Sequence, residues 1–157
     1  MNNVNKIILV TEPNTLSARP NGTATANIWL EINGIQFPML RWNDFAVVVM
    51  SWWAIALLRL LRGTSILETV NFMDGPYTVE VSISSPGMLQ IRALRRCVAQ
   101  VDEVATGEEP TTPFILGLIS QSSKILDACK RQGWWSKDAE ILESSLEALR
   151  EESGLTK

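Results

Sequence analysis

The stretch WNDFAVVVMSWWAIALLRLLRG, from Trp42 to Gly63, contains fourteen consecutive residues without a charge, Phe45 to Leu58. A helix that crosses a bilayer needs about 20 apolar residues, whereas a run of about 10 to 14 is typical of a helix buried in a protein core. Arg59 and Arg62 end the run on its C-terminal side. The segment therefore predicts a central helix buried within the fold, and no membrane span.

The few polar residues of this segment support that prediction. On a helical wheel they share one narrow stripe, formed by Asp44, Ser51, Arg59 and Arg62. Such a stripe is typical of a helix that is covered on most sides by a sheet and by other helices. Asn43 is the expected N-cap, and Gly63 is the expected left-handed residue after the last turn.

A hairpin precedes this helix, in the stretch ANIWLEINGIQFPML. Asn33-Gly34 is the favoured dipeptide for a two-residue turn between antiparallel strands. Pro38 cannot donate a backbone hydrogen bond, so the second strand is expected at or near a sheet edge. Closing the turn at Asn33-Gly34 places six apolar residues on one face, in the pairs Ile32 with Ile35, Leu30 with Phe37, and Ile28 with Met39.

A second hairpin follows the helix, around Asp74-Gly75 in ETVNFMDGPYTVEVSIS. Its second strand alternates apolar and polar residues from Tyr77 to Ser84, as expected for a strand with one wet face. Ser85 to Gly87 then turns the chain into a further strand. Residues 94–104 fit both a strand and a helical period, and a strand is the favoured interpretation.

The remaining segments before the C-terminal helices have weaker patterns. NKIILV, residues 5–10, predicts an N-terminal strand whose partner the sequence does not identify. TEPNTLSARPNG, residues 11–22, has the composition of a loop. ATGEEPTTP, residues 105–113, is expected to be a polar connection between elements.

Two helices are predicted to complete the chain. Apolar residues recur at helical spacing from Phe114 to Gln132, and Gly133 is a natural stop. Ser136 is then expected to cap a last helix, whose inner face is formed by Leu142, Leu146 and Leu149. Together the elements predict a single α+β domain over residues 1–157. An antiparallel sheet built from hairpins packs in it against the central apolar helix and the C-terminal helix pair.

Composition excludes the commonest catalytic and metal-binding devices. The 157 residues contain no histidine and only two cysteines, Cys97 and Cys129, which lack C-x-x-C spacing. The sequence has no G-x-S-x-G elbow and no glycine-rich phosphate loop. We therefore expect no enzymatic activity, no cofactor, no metal and two reduced cysteines.

The charge of the chain is mildly acidic, with a formal net charge of −3 and a pI near 5.0. Non-specific nucleic-acid binding needs clustered cations, and Arg92, Arg95 and Arg96 are too few for it. Neither a nucleic-acid partner nor a membrane partner is expected. The N-terminus has a four-residue apolar run, too short for a secretory signal peptide, so a cytoplasmic location is expected.

Two features are candidates for a protein-binding surface. Glutamates line the outer face of the last helix, and with the acidic residues of the preceding segment they predict a surface that attracts a cationic partner. The two adjacent tryptophans after the first C-terminal helix predict one ring that seals the core and one that stays partly exposed. Solvation and core filling are the alternative explanations. The candidate residues are Asp102, Glu103, Glu108, Glu109, Trp134, Trp135, Glu140, Glu143 and Glu147.

Several stretches give the chain a resemblance to a known class of proteins. They are FPMLRWNDF, the helix with the WW pair, FMDGPYTVEVSI and CKRQGWWSKD. The chain resembles the immunity proteins that bacteria make against their own polymorphic toxins, including those of contact-dependent growth inhibition. The resemblance implies a cytoplasmic antidote that binds one cognate toxin domain and blocks its active site or substrate path. It further implies a basic toxin, because toxins of this kind that attack nucleic acid tend to be basic.

Two other classes of function fit the same composition. A small acidic secretion chaperone or adaptor protein is also α+β and non-catalytic, and is usually a homodimer. An enzyme that relies only on carboxylates or lysine is the third class, and no residue cluster in the sequence favours it.

Overall fold

The computed structural model describes residues 6–20 and 22–155, which form eight β-strands and three α-helices. The first sheet contains β1 (Ile7–Ala18), β2 (Ala24–Ile32), β3 (Ile35–Phe37) and β4 (Asn43–Asp44). The second sheet contains β5 (Leu67–Asn71), β6 (Tyr77–Ser85), β7 (Met88–Arg96) and β8 (Val101–Pro110). The helices are α1 (Ala46–Leu61), α2 (Thr111–Arg131) and α3 (Lys137–Glu152).

Both sheets are antiparallel throughout. The first has the order β1-β2-β3, with β4 also paired to β2, and the second has the order β5-β6-β7-β8. The predicted α+β fold of antiparallel hairpins packed against helices is therefore confirmed. The two hairpins lie in separate sheets, and side chains from both sheets and all three helices contribute to one hydrophobic cluster.

Helix α1 lies in the interior, as the uncharged run predicts. Met50, Trp53 and Leu57 are fully buried, and the helix packs mainly against α3 and β5. It has 16 residues, and no helix in the described part of the chain is long and apolar enough to cross a membrane. Gly63 has a φ of 72°, which confirms the expected left-handed residue after the last turn.

The predicted N-cap of α1 is wrong. Asn43 and Asp44 form strand β4, which pairs with Asn27 and Ala26 of β2, and Phe45 takes the N-cap position without a capping side chain. The strand pairing displaces the start of the helix by two residues. The side chain of Asp44 instead becomes the junction between the two sheets.

The carboxylate of Asp44 is buried and accepts three hydrogen bonds. Its Oδ1 accepts from the backbone N–H of Phe45 at 2.6 Å, and its Oδ2 accepts from the indole N–H of Trp42 at 2.9 Å. Oδ2 also accepts from the backbone N–H of Met73 at 3.1 Å, in the loop between β5 and β6. One side chain thus links the end of the first sheet, the start of α1 and the second sheet.

Aromatic side chains surround this link. Phe37 lies edge-on to Phe72 and to Tyr77, with ring centroids 5.9 and 5.5 Å apart, and Trp42 lies edge-on to Tyr77 at 5.3 Å. Edge-to-face pairs at these separations are favourable beyond their buried area. They hold the β3–β4 segment against the β5–β6 loop.

The first hairpin has the predicted turn but a shorter second strand. Ile32 pairs with Ile35 and Leu30 with Phe37, as expected. The predicted pair of Ile28 with Met39 is wrong, because the backbone N–H of Ile28 donates to the carbonyl of Trp42 at 2.7 Å. Residues 38–41 therefore loop out, and Met39 leaves the predicted face and is exposed. Ile35 pairs as predicted and is also exposed.

The loop predicted over residues 11–22 is wrong up to Ala18, because β1 continues to that residue. Its register shifts between Glu12 and Ser17, and Thr15 lies within the irregularity. The Thr15 hydroxyl accepts from the backbone N–H of Asn27 at 2.9 Å and so replaces a carbonyl of the strand ladder. The predicted N-terminal strand is confirmed from Ile7 onward, with β2 as its partner, and residue 5 lies outside the described residues.

The expected polar connection over residues 105–113 is also wrong. Residues 105–110 belong to β8, which pairs with β7, and α2 begins at Thr111. Backbone pairing with a long neighbouring strand determines the structure here, whatever the polarity of the side chains. Residues 94–96 and 101–104 are strand, as favoured, and a tight turn separates them.

The other predicted elements are confirmed. Val70 and Phe72 of the second hairpin are buried, although Ile83 near the end of β6 is exposed. Gly133 has a φ of 70° after α2. Ser136 caps α3, and its hydroxyl accepts from the backbone N–H groups of Asp138 and Ala139 at 3.1 and 3.4 Å. The predicted inner face of α3 is buried.

Replacing Asp44 by alanine is expected to lower the free energy of unfolding by about 3 kcal/mol, because three partly buried donors lose a charged acceptor. Asp44→Asn keeps one acceptor oxygen and should lose about half as much. Urea unfolding followed by circular dichroism measures both values. Asp74→Ala, an exposed carboxylate in the adjoining loop, is the control and should change stability by less than about 0.5 kcal/mol. Equal effects at Asp44 and Asp74 would contradict the junction role.

Candidate functional site

The junction of α2 and α3 brings together five of the nine candidate residues. Gly133 ends α2, Trp134 and Trp135 follow, and Ser136 starts α3. Trp134 is buried, and its indole N–H donates to the carbonyl of Gly22 at 3.1 Å. This ring seals the core and fastens the helix pair to the loop before β2.

Trp135 remains 38% exposed, so the predicted division between one buried and one exposed ring holds. The ammonium of Lys130 lies 4.9 Å from the centroid of its ring, and the same ammonium lies 3.6 Å from Oε2 of Glu143. An exposed ion pair contributes at most about 1 kcal/mol, but here it also holds a cation over an aromatic face. An open groove of about 530 Å³, termed here the junction groove, is lined by Lys130, Gly133, Trp134, Trp135 and Glu143.

The outer face of α3 adjoins this groove, and the net negative charge of the chain is concentrated on this helix. The helix has six acidic and two basic side chains, a net charge of −4, against −3 for the whole chain. The rest of the protein is therefore close to neutral. Within residues 6–20 and 22–155, only Glu143 of the outer face has a salt bridge. This acidic face consists of Glu140, Glu143, Glu147 and Glu151, all exposed.

The acidic candidates on β8 do not extend this face. α3 packs mainly on α1 and α2, whereas β8 pairs with β7. Glu103 accepts from Arg92 at 2.8 Å, and Arg92 also bonds Glu80 at 2.7 Å. Asp102 accepts from the side-chain amide of Gln100 at 2.9 Å. The acidic candidates of β8 and α3 therefore lie on elements that pack against different neighbours, and Glu103 and Asp102 bond side chains close to them.

Glu109 is the clearest departure from the expected exposure. It is only 7% exposed, and its Oε1 accepts from the backbone N–H of Ile7 at 3.4 Å. Burial raises the pKa of the Glu109 carboxyl above its ordinary value, although the bond from Ile7 and the charge of Lys6 oppose the shift. Its neighbour Glu108 is exposed and forms no ion pair within the described residues. Glu109 therefore lies in the contact between β8 and β1 and is not a surface carboxylate.

The sequence did not predict an apolar surface at the end of the second sheet. Met39 and Leu40 in the looped-out segment are 51% and 58% exposed, and Met73 is 47% exposed. Trp42 and Tyr77 are half-buried with their ring centroids 5.3 Å apart, and Trp42 and Met73 donate to the same oxygen of Asp44. Methionine and aromatic side chains are enriched at protein interfaces. Met39, Leu40, Trp42, Met73 and Tyr77 are termed here the hairpin-end surface. The proline that breaks the strand, Pro38, was the available signal for it.

The reactive groups of the described residues are sparse. Cys97 and Cys129 are both free thiols, and burial raises the pKa of Cys129 to about 11, so that thiol stays protonated. In the part of the chain that the structure describes, no three histidine, cysteine or carboxylate residues are grouped as a metal ion would require. The junction groove presents an aromatic surface, and the acidic face presents negative charge.

The chain matches no protein-family model, and neither a curated protein nor a solved structure shows significant similarity to it. The fold and the site define a two-sheet α+β protein with an acidic helix beside an aromatic groove.

The pH dependence of stability should reveal the buried Glu109. Its folded-state pKa is raised, so the unfolded chain loses this proton first as the pH rises, and the folded state is progressively disfavoured until Glu109 also ionises. Glu109→Gln removes this penalty and keeps an acceptor for Ile7. The variant should therefore gain stability over the wild type as the pH rises through the carboxyl range, with no relative gain below it.

Chemical unfolding of both proteins at a series of pH values from acid to neutral measures this difference. Glu108→Gln, at the exposed neighbouring position, is the matched control and should show no comparable trend. A wild-type advantage that grows with pH would contradict the burial effect.

Proposed function

We propose that this protein is an immunity protein, which binds a cognate toxin domain and neutralises it by covering the active site or substrate path. The observation that carries the proposal is the concentration of charge on α3, with a net charge of −4, beside the exposed ring of Trp135. Such a surface suits a cationic protein partner. The resemblance of the sequence to immunity proteins supports the same function, with the cytoplasm as the place of action.

Each part of this surface has a distinct physical role in the proposal. The exposed carboxylates of the acidic face attract a basic domain over a distance of about one Debye length, roughly 8 Å at physiological salt, and raise the association rate. Trp135, held by Lys130, is a large and rigid apolar group that loses its remaining water on binding. Desolvation of such an anchor slows dissociation.

The test uses the protein domain encoded immediately upstream of this chain, expressed with and without it. Growth arrest by that domain alone, and rescue by this protein, is the expected result. The two purified proteins are expected to form a stable complex. Surface plasmon resonance measures the association and dissociation rate constants of that complex. The proposal would be contradicted if this protein neither rescued growth nor bound the upstream domain.

Variants separate the two roles. Glu147→Lys reverses one charge on the acidic face, and Glu143 and Glu151 one turn away keep the helix stable around a lysine. We expect the association rate to fall about tenfold at low salt, with the loss shrinking as salt is raised. Glu108→Lys makes the same change in net charge on β8 and should leave the rate nearly unchanged. Equal effects of the two variants would place the interface elsewhere.

Trp135→Ala is expected to act on the dissociation rate instead. Loss of a tryptophan anchor weakens binding by about 2 kcal/mol, roughly a 30-fold faster dissociation. Ile141→Ala, which shortens an exposed apolar residue of α3 with 38% exposure, is the control for a general loss of surface. A Trp135→Ala variant that binds as the wild type would remove the groove from the interface.

A dimeric secretion chaperone or adaptor is the second candidate function, and the hairpin-end surface favours it. Leu40 and the neighbouring methionines expose apolar area that a second copy or a client protein would cover. Sedimentation equilibrium of the purified protein discriminates between the two functions. A dimer that Leu40→Asp converts to a monomer supports the adaptor, and a wild-type monomer supports the antidote.

A further inference from the structure

Strand β5 is an edge of the second sheet with an open row of backbone groups. The N–H of Phe72 donates to the carbonyl of Tyr77 at 3.2 Å, just beyond the paired strands. This bond shows which residues of β5 direct their backbone groups toward β6. Antiparallel pairing alternates, so the backbone groups of every second residue point away from β6: Leu67, Thr69 and Asn71. Within the described residues, none of these three N–H groups has a hydrogen-bond partner.

The corresponding edge of the first sheet is closed by side chains. Gln121 of α2 accepts from the backbone N–H of Thr11 at 3.1 Å. Gln132 accepts from the N–H of Ala18 at 3.3 Å and donates to the carbonyl of Leu16 at 2.8 Å. Edge strands that are left open pair readily with other chains, and α2 prevents this at β1. Helix α1 lies beside β5, and among the described residues it supplies no such bond to the backbone of that strand.

A groove of about 420 Å³ separates α1 from this open edge. Trp52, Ile55 and Ala56 form its helical wall, and Thr69 and Asn71 contribute to the wall on the strand side. Both Trp52 and Ile55 are only partly buried, although α1 is otherwise a core helix.

The same groove has a charged side. There Arg59 of α1 lies 3.3 Å from Glu68 of β5, an ion pair in which the arginine is 59% exposed. The groove thus combines an apolar helical wall with a row of backbone donors and acceptors.

We propose that the groove between α1 and β5 binds an extended segment of a partner protein as an added β-strand. The backbone of about five residues of that segment bonds to Leu67, Thr69 and Asn71, since residues in a strand rise by about 3.3 Å each. An apolar side chain of the segment contacts Trp52 and Ile55. An unpaired row of N–H and C=O groups at alternate residues recognises an extended backbone and no other common element, which is why the occupant is a strand. This site is separate from the acidic face of α3.

The probe for this proposal is a library of random twelve-residue peptides displayed on phage and selected on the folded, full-length protein. One selected peptide is then synthesised, and its affinity is measured by fluorescence anisotropy. Thr69→Pro removes one outward N–H that the fold does not use, and should weaken binding at least tenfold. Thr69→Ala retains the N–H and should bind within about twofold of the wild type. Circular dichroism shows whether both variants keep the native fold.

A second measurement does not depend on the folding of the proline variant. Amide hydrogen exchange of the wild-type protein should slow at Leu67, Thr69 and Asn71 when the peptide binds. Exchange at Glu68 and Val70, whose N–H groups already face β6, should stay unchanged. Trp52→Ala should weaken binding about tenfold, because it removes the largest apolar part of the groove.

Several results would overturn the proposal. One is that no peptide from the library slows amide exchange at Leu67, Thr69 and Asn71. Another is that a folded Thr69→Pro variant binds the peptide as tightly as the wild type. Protection of the three amides in the free protein at high concentration, with a matching dimer in sedimentation, would assign the edge to a second copy of this chain instead. If the protein failed to neutralise a toxin, peptide binding in the groove would be unaffected. Failures of the two proposals are therefore distinguishable.

Discussion

The buried carboxylate of Asp44 is the constraint on which the arrangement of the two sheets depends. Its three acceptor bonds reach Trp42 beside β4, Phe45 at the N-cap of α1, and Met73 in the loop between β5 and β6 of the second sheet. A buried charge is tolerated only where several donors satisfy it, so the bond from Met73 couples the second sheet to the segment around Asp44. The edge-on rings of Phe37, Tyr77 and their neighbours then fill the space around it. The exposed hairpin-end surface is a consequence of that convergence.

Local signals in the sequence predicted much of the fold. Turns at Asn33-Gly34 and Asp74-Gly75, the stop at Gly133 and the cap at Ser136 depend on residues within a few positions, and the structure confirms each. The errors have the opposite origin. The end of β1 depends on the Thr15 hydroxyl, which accepts a hydrogen bond from Asn27 in the next strand. Met39 is exposed because Ile28, its predicted partner, donates to the carbonyl of Trp42 instead.

The candidate site shows the same division. The different environments of Trp134 and Trp135 follow from their adjacency at a helix junction, and the acidic face of α3 follows from helical spacing. Glu109 was not predictable as a buried group, because its donor Ile7 lies 102 positions away in the chain. The open edge of β5 was also invisible, because whether an edge is covered depends on which helix packs beside it. Helical spacing therefore predicted the exposed glutamates of α3, whereas the burial of Glu109 and the ion pair of Glu103 depend on tertiary contacts.

The closure of the β1 edge by two glutamines has a consequence for biosynthesis. Gln121 and Gln132 lie more than 100 residues after the strand that they cover, with separations of 110 and 114 residues to Thr11 and Ala18. Strands β1 and β2 leave the ribosome long before α2. For most of translation the edge of β1 that faces away from β2 is therefore uncovered. Pairing with β2 leaves that edge open to other chains until the last third of the protein emerges.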